Sequence, residues 1–395
     1  MSDEELLRRW VPFLQYDSLE SFRSDSAATL AEHFYDDGSD WSYANSLKRK
    51  GGSVLASARP RPGQRKLDLA FLGGGRYASG AQVSRTDYLD AVGRRYVEDA
   101  RRLHADARYA DRVYGRAVRV PSGATWLQYW FFYYYNDKNF LGIGLHEGDW
   151  EMVQIRLGSG GTPTAATFAQ HSGAQAFSWS ELELRSSPSG RVPVVYVGRG
   201  SHASFARKGT HWPMFPLPPD YADGKGPRLR PRLELISSSP PAWAEWPGKW
   251  GSSDSSPRGP IDKRQWNDPS GFHRDVGGEG RRRAGPEGVA PPGAPPAPPA
   301  PKITARRVDD RAVVDYVFPK TLRAEEARPV RIVVSVDGTD DELPPASYRE
   351  TVRSRAGAVL HPTRLDDADY EIRAVAYSDD GAGSRVVSTQ LDRPD

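Results

Sequence analysis

An uninterrupted run of aromatic and apolar residues, WLQYWFFYYY at 126–135, constrains the fold more than any other part of the chain. Neighbouring side chains of an extended strand point to opposite faces, so both faces of this run are apolar. Such a strand has to be covered on both sides. The run is also only half of the roughly 20 residues that a helix needs to cross a bilayer. It therefore predicts a central strand of a layered β-protein.

The segments around this run indicate a β-sandwich. Alternating apolar and polar residues predict further strands at 149–157, 166–172, 176–185 and 192–205, separated by the turn signals GSGGTP and SSPSGR. Upstream, apolar residues at helical spacing from Tyr88 to Leu103, with Thr86 as a cap, predict one amphipathic helix. The expected fold class is mainly β, an antiparallel sandwich with a few helices.

A proline-, glycine- and alanine-rich segment at 276–302 predicts a semi-rigid linker between two units. A chain of 395 residues is long for one domain of roughly 150 residues, which agrees with a division into a body at 1–275 and a second unit at 303–395. The second unit alternates in short runs between the turn signals DGTDD and DDGAG, as in a small β-sandwich. Its ending, YEIRAVAYSDDGAGSRVVSTQL, resembles the last two strands of a fibronectin type III domain, with Tyr370 as the strand tyrosine.

Composition narrows the classes of partner. The formal net charge is +3, and the run GRRRAG at 280–285 lies in the predicted linker, so nucleic-acid binding is not indicated. Because cysteine is absent, any metal has to use oxygen and nitrogen ligands. No signal peptide or membrane span is recognisable, so we expect a cytoplasmic protein, with leaderless release and peripheral membrane contact left open. A protein partner for the second unit is also left open.

Charge is concentrated where a core strand begins, in FLGIGLHEGDWEMVQIRL at 140–157. Burying unpaired charges there would cost several kcal/mol each, so they need partners. Asp149 and Glu151 share one strand face, His146 lies on the preceding glycine-rich loop, and a hairpin would bring Asp137 opposite. One imidazole among carboxylates suits Mg²⁺, Ca²⁺ or Mn²⁺ better than zinc. The alternative is a structural role, in which arginine side chains or backbone amides bind these carboxylates.

Histidines at the ends of two predicted strands suggest a shared site with this acidic cluster. His171 follows one strand in AQHSG, and His202 follows another in GRGSHASF. Either imidazole would serve to bind metal, to move protons or to contact an anionic ligand. Glu147, if it is not a ligand, is a candidate base. His171, His202 and Glu147 are therefore the candidate catalytic residues.

The separated motifs WLQYWFFYYYND, HEGDWEMVQIRL, QHS and VYVGRGSHASF, followed by GTHW, resemble the vacuolar-protein-sorting-sixty-two-related family of fungi, plants and bacteria. The resemblance spans about residues 8–275. The family name reports a fungal sorting phenotype and implies no settled biochemical activity.

A shorter segment, LHEGDWE, is similar to the GHRHDWE heptapeptide of necrosis- and ethylene-inducing-peptide-like toxins. Those toxins are β-sandwiches that bind a divalent cation and recognise sphingolipid head groups. Their metal ligands are the first histidine, the aspartate and the glutamate of the heptapeptide and an upstream aspartate. The resemblance carries these to the following positions: His146, Asp149, Glu151 and Asp137. Glu147 and Gly148 replace the arginine and the second histidine, so the resemblance implies the metal site and not toxicity.

Three functional hypotheses follow from the sequence. The first is a divalent-metal-binding sandwich that recognises a polar lipid head group or a glycan. The second is a metal-assisted hydrolase of a phosphoester or glycoside, with a histidine as proton shuttle. The third is a trafficking or scaffold protein in which the charges only hold the fold together.

Overall fold

The computed structural model describes residues 1–34, 44–91, 95–120, 123–138, 144–171, 173–211, 219–236, 240–273, 298–324, 326–338, 346–365, 369–378, 384 and 387–393. Its α-helices are α1 (Asp3–Trp10), α2 (Ala28–Glu32), α3 (Tyr96–Ala105) and α4 (Arg264–Asn267). Within these ranges, we find no helix with the length and apolar character of a membrane span.

The body is mainly β, as predicted. Its strands are β1 (Phe13–Gln15), β2 (Ser46–Lys48), β3 (Val54–Ser57), β4 (Tyr88–Asp90), β5 (Arg112–Arg119), β6 (Thr125–Asn136), β7 (His146–Leu157), β8 (Pro163–Gln170), β9 (Gly173–Ser178), β10 (Leu184–Ser187), β11 (Gly190–Val197), β12 (Ser204–Phe205), β13 (Gly209–His211), β14 (Asp220–Ala222), β15 (Arg228–Leu229) and β16 (Arg232–Leu235). The largest sheet has the order β16-β5-β6-β7-β8-β9.

Strand β6 separates two hydrophobic cores, which confirms the prediction from its aromatic run. Trp130 and Phe132 point into a core that contains the loop tryptophan Trp246. Phe131 and Tyr133 point into the opposite core, between the large sheet and strand β11. All five side chains are buried. A strand with two apolar faces is stable in this position because both faces leave water.

The second layer is a smaller sheet in the order β10-β11-β1-β15, with β12 added to β11. Most strand pairs of the body are antiparallel, but β1 runs parallel to β11 and β16 runs parallel to β5. The sequence pattern did not predict these two parallel pairs. Parallel neighbours need a long connection, so strands far apart in sequence become adjacent and local alternation carries no sign of it.

Strands β7 and β8 diverge at the head of β7. Along β6, β7 is paired from His146 to Leu157. Along β8, pairing covers only the stretch from Val153, opposite Phe168, to Leu157. The first part of β7, which carries the predicted acidic site, therefore lies beside β6 but outside the ladder with β8.

Two predicted elements differ from the structure. Residues 88–90 form β4 rather than the start of the predicted helix, because Leu89 pairs with Leu47 and is fully buried. The helix itself begins at Tyr96. The strand predicted at 176–185 is interrupted by a 3-10 helix at Trp179–Glu181, which Ser178 and Glu181 close with a reciprocal capping box.

The chain beyond residue 297 forms two further sheets. Their strands are β17 (Lys302–Val308), β18 (Arg311–Val317), β19 (Arg331–Gly338), β20 (Ala346–Thr351), β21 (Ala356–Arg364), β22 (Tyr370–Tyr377) and β23 (Val387–Leu391). The orders are β17-β18-β21 and β20-β19-β22-β23, and the two sheets have a hydrophobic core of their own. Tyr370 is buried at the start of β22. Most of the predicted linker lies outside the described residues, so the division into two units stays a prediction.

Candidate functional site

Asp149 is a buried carboxylate on the third pair of the β6–β7 hairpin, opposite Tyr133. Its Oδ2 atom accepts hydrogen bonds from Asn136 Nδ2 at 3.1 Å and from His202 Nδ1 at 3.0 Å. Burial works against ionisation of this group, but the hydrogen bond and the charge of His202 lower the pKa of Asp149 below its usual value. Asp149 is therefore held as a carboxylate.

Glu151 lies two residues further along β7, on the same side of the strand, and is also buried. Burial and the neighbouring charge of Asp149 raise the pKa of Glu151 well above its usual value. Two carboxyl groups whose pKa values move in opposite directions thus share one face, as predicted from strand alternation. Such a pair is poised either to bind a cation or to divide acid and base roles.

His202 closes the site from the turn that follows β11. Its backbone has a φ of 55°, an unusual conformation for a residue with a side chain, and its ring stacks on Tyr133 at 4.0 Å between centroids. The Nε2 atom lies 3.6 Å from Glu20 Oε1. Burial alone would lower the pKa of His202, but the carboxylates of Glu20 and Asp149 raise it to about 10. The imidazole is therefore a buried cation between two carboxylates.

Two buried polar atoms at this place lack a hydrogen-bond partner within the described residues: His202 Nε2 and the Tyr133 hydroxyl. An unsatisfied buried polar group costs about 1–3 kcal/mol. Natural proteins satisfy most such groups, with water where no side chain is available. Among the described residues, the Tyr133 hydroxyl is therefore the unpaired polar atom beside this site, since His202 Nε2 faces the Glu20 carboxylate.

The other two predicted ligands are placed less simply. His146 is the first residue of β7 and not a loop residue, and its Nδ1 lies 2.9 Å from the carbonyl oxygen of Gly148. Asp137 directly follows β6, and its amide donates to the Gly200 carbonyl at 3.0 Å. Within the described residues, the three potential ligands whose atoms all lie within 4.8 Å of one another are Asp25, His104 and Asp111, and they do not include these four. Binding by all four residues stays a prediction.

Glu147 is turned away from this site. Gly148 has a φ of 59°, and this left-handed residue interrupts the alternation of β7. The Glu147 carboxylate instead accepts hydrogen bonds from the Tyr96 hydroxyl at 2.8 Å and the Ser252 amide at 3.0 Å. Burial raises the pKa of Glu147. Its contacts are those of an anchor between α3 and the loop after Trp250.

Asp220, on β14, is a further buried carboxylate that the sequence patterns did not reveal. Its oxygens bind Lys138 Nζ at 2.6 Å, His171 Nε2 at 2.9 Å and the Ser201 hydroxyl. Although burial opposes its charge, the Lys138 cation and the hydrogen bond from His171 hold the pKa of Asp220 well below its usual range. The Asp220 charge also raises the pKa of Glu151, so the two centres lie close together. Asp220 belongs to no recognisable sequence motif, because it lies on a short strand between loops.

A separate cluster joins Asp25, His104 and Asp111, whose ligand atoms lie within 4.8 Å of one another. His104 Nδ1 is 2.8 Å from Asp25 Oδ1, and its Nε2 is 3.1 Å from Arg23 Nη1. Arg23 thus binds the imidazole that links the two carboxylates. We therefore interpret this cluster as an internal ion-pair network and not as a metal site.

His211 gives a prediction for stability. Burial lowers the pKa of His211 from 6.5 to about 4, while its ring stacks on Phe205. Between these pH values the unfolded chain binds a proton that the folded chain does not, so acidification destabilises the fold. Lowering the pH from 7.5 to 4 should remove about 3 kcal/mol through this group. In His211→Phe, the free energy of unfolding measured with urea should fall by about 3 kcal/mol less than in wild type over this pH range. An equal fall in both proteins would contradict the assignment.

Similarity to known proteins covers the strands that build this site. Residues 125–212 match the family model described as "Vacuolar protein sorting-associated protein 62". The chain is thus similar to this family over the segment that contains β6 to β13. Two curated relatives come from Saccharomyces cerevisiae. Vacuolar protein sorting-associated protein 62 is 26% identical over 181 residues, 36% of this chain and 38% of that protein. Putative vacuolar protein sorting-associated protein TDA6 is 28% identical over 192 residues, 38% of this chain and 41% of that protein. The chain therefore spans about two fifths of their length.

Two solved structures show distant similarity to the chain. One, described as "NLPPya in complex with mannosamine", is 12% identical with a TM-score of 0.32 and covers 67% of this chain and 87% of that chain. Another, the chicken CNTN1 FN1-FN3 domains, is 8% identical with a TM-score of 0.20 and covers 72% of this chain and 100% of that chain. These likenesses are too distant to indicate a shared ligand.

Proposed function

We propose that the protein binds a divalent cation at the head of β7 and uses it to hold a polar ligand, a glycan or a lipid head group. The observation that carries this proposal is the buried pair Asp149 and Glu151, close to the unpaired Tyr133 hydroxyl. A cation next to the pair would offset the mutual repulsion that keeps Glu151 from ionising.

The donor set fits a hard cation. Asp149, Glu151 and Asp137 offer carboxylate oxygens, which Mg²⁺, Ca²⁺ and Mn²⁺ prefer, whereas zinc favours sites richer in histidine and cysteine. In His146, a hydrogen bond from Nδ1–H to the Gly148 carbonyl leaves the lone pair of Nε2 available for a ligand bond. Metal-binding histidines are usually oriented in this way by their second nitrogen. We therefore name Asp137, His146, Asp149 and Glu151 as the residues that would hold the ion.

The ion would supply an attraction for oxygen atoms of the ligand. Hydroxyl groups of a glycan and phosphate oxygens of a lipid head group are both hard donors that complete the coordination of such cations. His202 would keep Asp149 oriented, because its ring is fixed by the stack on Tyr133 and by two carboxylates. Binding of the ligand itself would then depend on the cation.

Calorimetric titration tests the proposal. Wild-type protein should bind at least one of Ca²⁺, Mg²⁺ and Mn²⁺, and Asp149→Asn should weaken binding by at least about 100-fold, since even residues outside the ligand shell are worth 10–100-fold. Asp254→Asn is the control, because that side chain is fully exposed and pairs with Lys249 rather than with any of the four named residues. If wild type binds none of the three ions, the charges serve the fold alone and the proposal fails.

A further inference from the structure

The buried carboxylate of Asp220 binds both His171 and Lys138 next to the proposed cation site. We propose that His171, oriented by Asp220, is the proton acceptor for hydrolysis of a phosphoester whose charge is neutralised by Lys138. This activity goes beyond cation binding and does not depend on it.

The geometry fixes which nitrogen of His171 is available. Nε2 faces the buried Asp220 Oδ2 at 2.9 Å, so this nitrogen carries the proton and donates it to the carboxylate. Within the described residues, no hydrogen bond reaches Nδ1, and the side chain is 41% exposed. The free lone pair therefore points away from Asp220, where solvent reaches it. A carboxylate that holds one imidazole nitrogen so that the other accepts a proton is the arrangement of general-base catalysis.

His171 lies where β8 turns into β9, directly after Gln170, which pairs with Gly173. Its φ is 50°, a conformation that is common in tight turns between paired strands. The residue therefore lies beyond the part of β8 that pairs with β7, which ends at Phe168.

The charge of Lys138 favours a phosphoester over a neutral glycoside as the substrate. Its ammonium group binds the other oxygen of the same carboxylate at 2.6 Å, and its side chain is 19% exposed. A cation this close to the base stabilises the negative oxygens of a phosphoester, which a neutral glycoside lacks. In the proposed step, water oxygen bonds to phosphorus while the bond from phosphorus to the alcohol oxygen breaks. One water proton passes to His171 Nδ1, which returns it to the departing alkoxide; the second stays on the phosphomonoester product.

The experiment uses the full chain and bis(4-nitrophenyl) phosphate, with release of 4-nitrophenolate as the signal. His171→Gln should lower the rate by about 100-fold or more, the usual contribution of a general base. His273→Gln is the matched control, because it removes another part-buried histidine that contacts β8 through Thr167. Absence of turnover by wild type, or equal turnover by His171→Gln, would overturn the proposal.

A second measurement separates orientation from folding. Nitrogen-15 NMR of the histidine rings should find the proton of His171 on Nε2 in wild type, and Asp220→Asn should shift the balance towards Nδ1. A proton on Nδ1 in wild type would overturn the assignment, even if some turnover were seen. Cation binding by calorimetry should be unchanged in His171→Gln. If His171→Gln loses turnover but still binds the cation, the hydrolysis proposal is supported independently of the cation-binding proposal.

Discussion

Replacing Glu151 by glutamine is expected to abolish cation binding and, at the same time, to stabilise the protein without the cation. Glutamine keeps the shape of the side chain but cannot ionise. It would remove one of the ligands named for the ion, so the dissociation constant should rise at least about 100-fold. Loss of binding together with a gain in stability is unusual for a buried substitution, since most of these destabilise.

The sign of the stability change follows from the direction of the pKa shift. Burial and the Asp149 charge raise the folded-state pKa of Glu151 above its usual value of 4.5. The folded state then retains a proton that the unfolded state releases, so this group makes the protein less stable as the pH rises above the unfolded value. The advantage of Glu151→Gln over wild type should therefore be small at pH 5 and larger at pH 8. Urea unfolding in the presence of a chelator measures it.

Glu147→Gln is a matched control, because Glu147 is a second buried glutamate on β7 with a raised pKa. Its carboxylate faces the Tyr96 hydroxyl and the Ser252 amide, on the other side of the strand from Asp149. This control should change stability but leave cation binding intact. Equal loss of binding in both variants would show that the effect comes from a general disturbance of β7.

Replacing Gly200 by alanine is expected to destabilise the turn that carries His202. Gly200 has a φ of 69°, its amide donates to Glu20 Oε2 at 2.6 Å, and its carbonyl accepts from Asp137 and Lys138. A β-carbon here would collide with Asp137 Oδ1. Left-handed strain of about 1 kcal/mol and overpacking of 1–3 kcal/mol together suggest a loss of about 2–4 kcal/mol.

Gly63→Ala distinguishes the two causes. Gly63 has a comparable φ of 83°, but a β-carbon there meets no atom within 4 Å. It should therefore lose only about 1 kcal/mol, the contribution of backbone strain. The free energy of unfolding of both variants tests the difference. An equal loss of unfolding free energy in Gly200→Ala and Gly63→Ala would contradict tight packing of the 198–202 turn against Asp137.

The part of the site that lies on one strand was predictable from the sequence. Strand alternation correctly placed Asp149 and Glu151 on one face, because the hydrophobic residues that follow fix which face is buried. Glu147, which we considered as a base, faces the other side of the strand because the left-handed Gly148 interrupts the alternation. A glycine in a strand is a known sign of such irregularity, but its φ angle depends on tertiary contacts.

The partners that come from elsewhere in the chain were not predictable. Glu20 reaches His202 from the loop that follows β1, and Asp220 reaches His171 from β14. These contacts depend on the second layer, where β1 lies parallel to β11. His171 and His202 were recognised as strand-end residues, but the carboxylates that orient them belong to no motif. Long-range pairing therefore decided which buried charges meet.

Crystals of the wild-type protein grown with Mn²⁺ provide the most direct test of the central claim. The anomalous signal of manganese should give a peak bound by Asp149 and Glu151, and this peak should be absent from crystals of Glu151→Gln grown in the same way. A peak at Asp25, His104 and Asp111, or no peak at a concentration that saturates the calorimetric titration, would contradict a cation site at the head of β7.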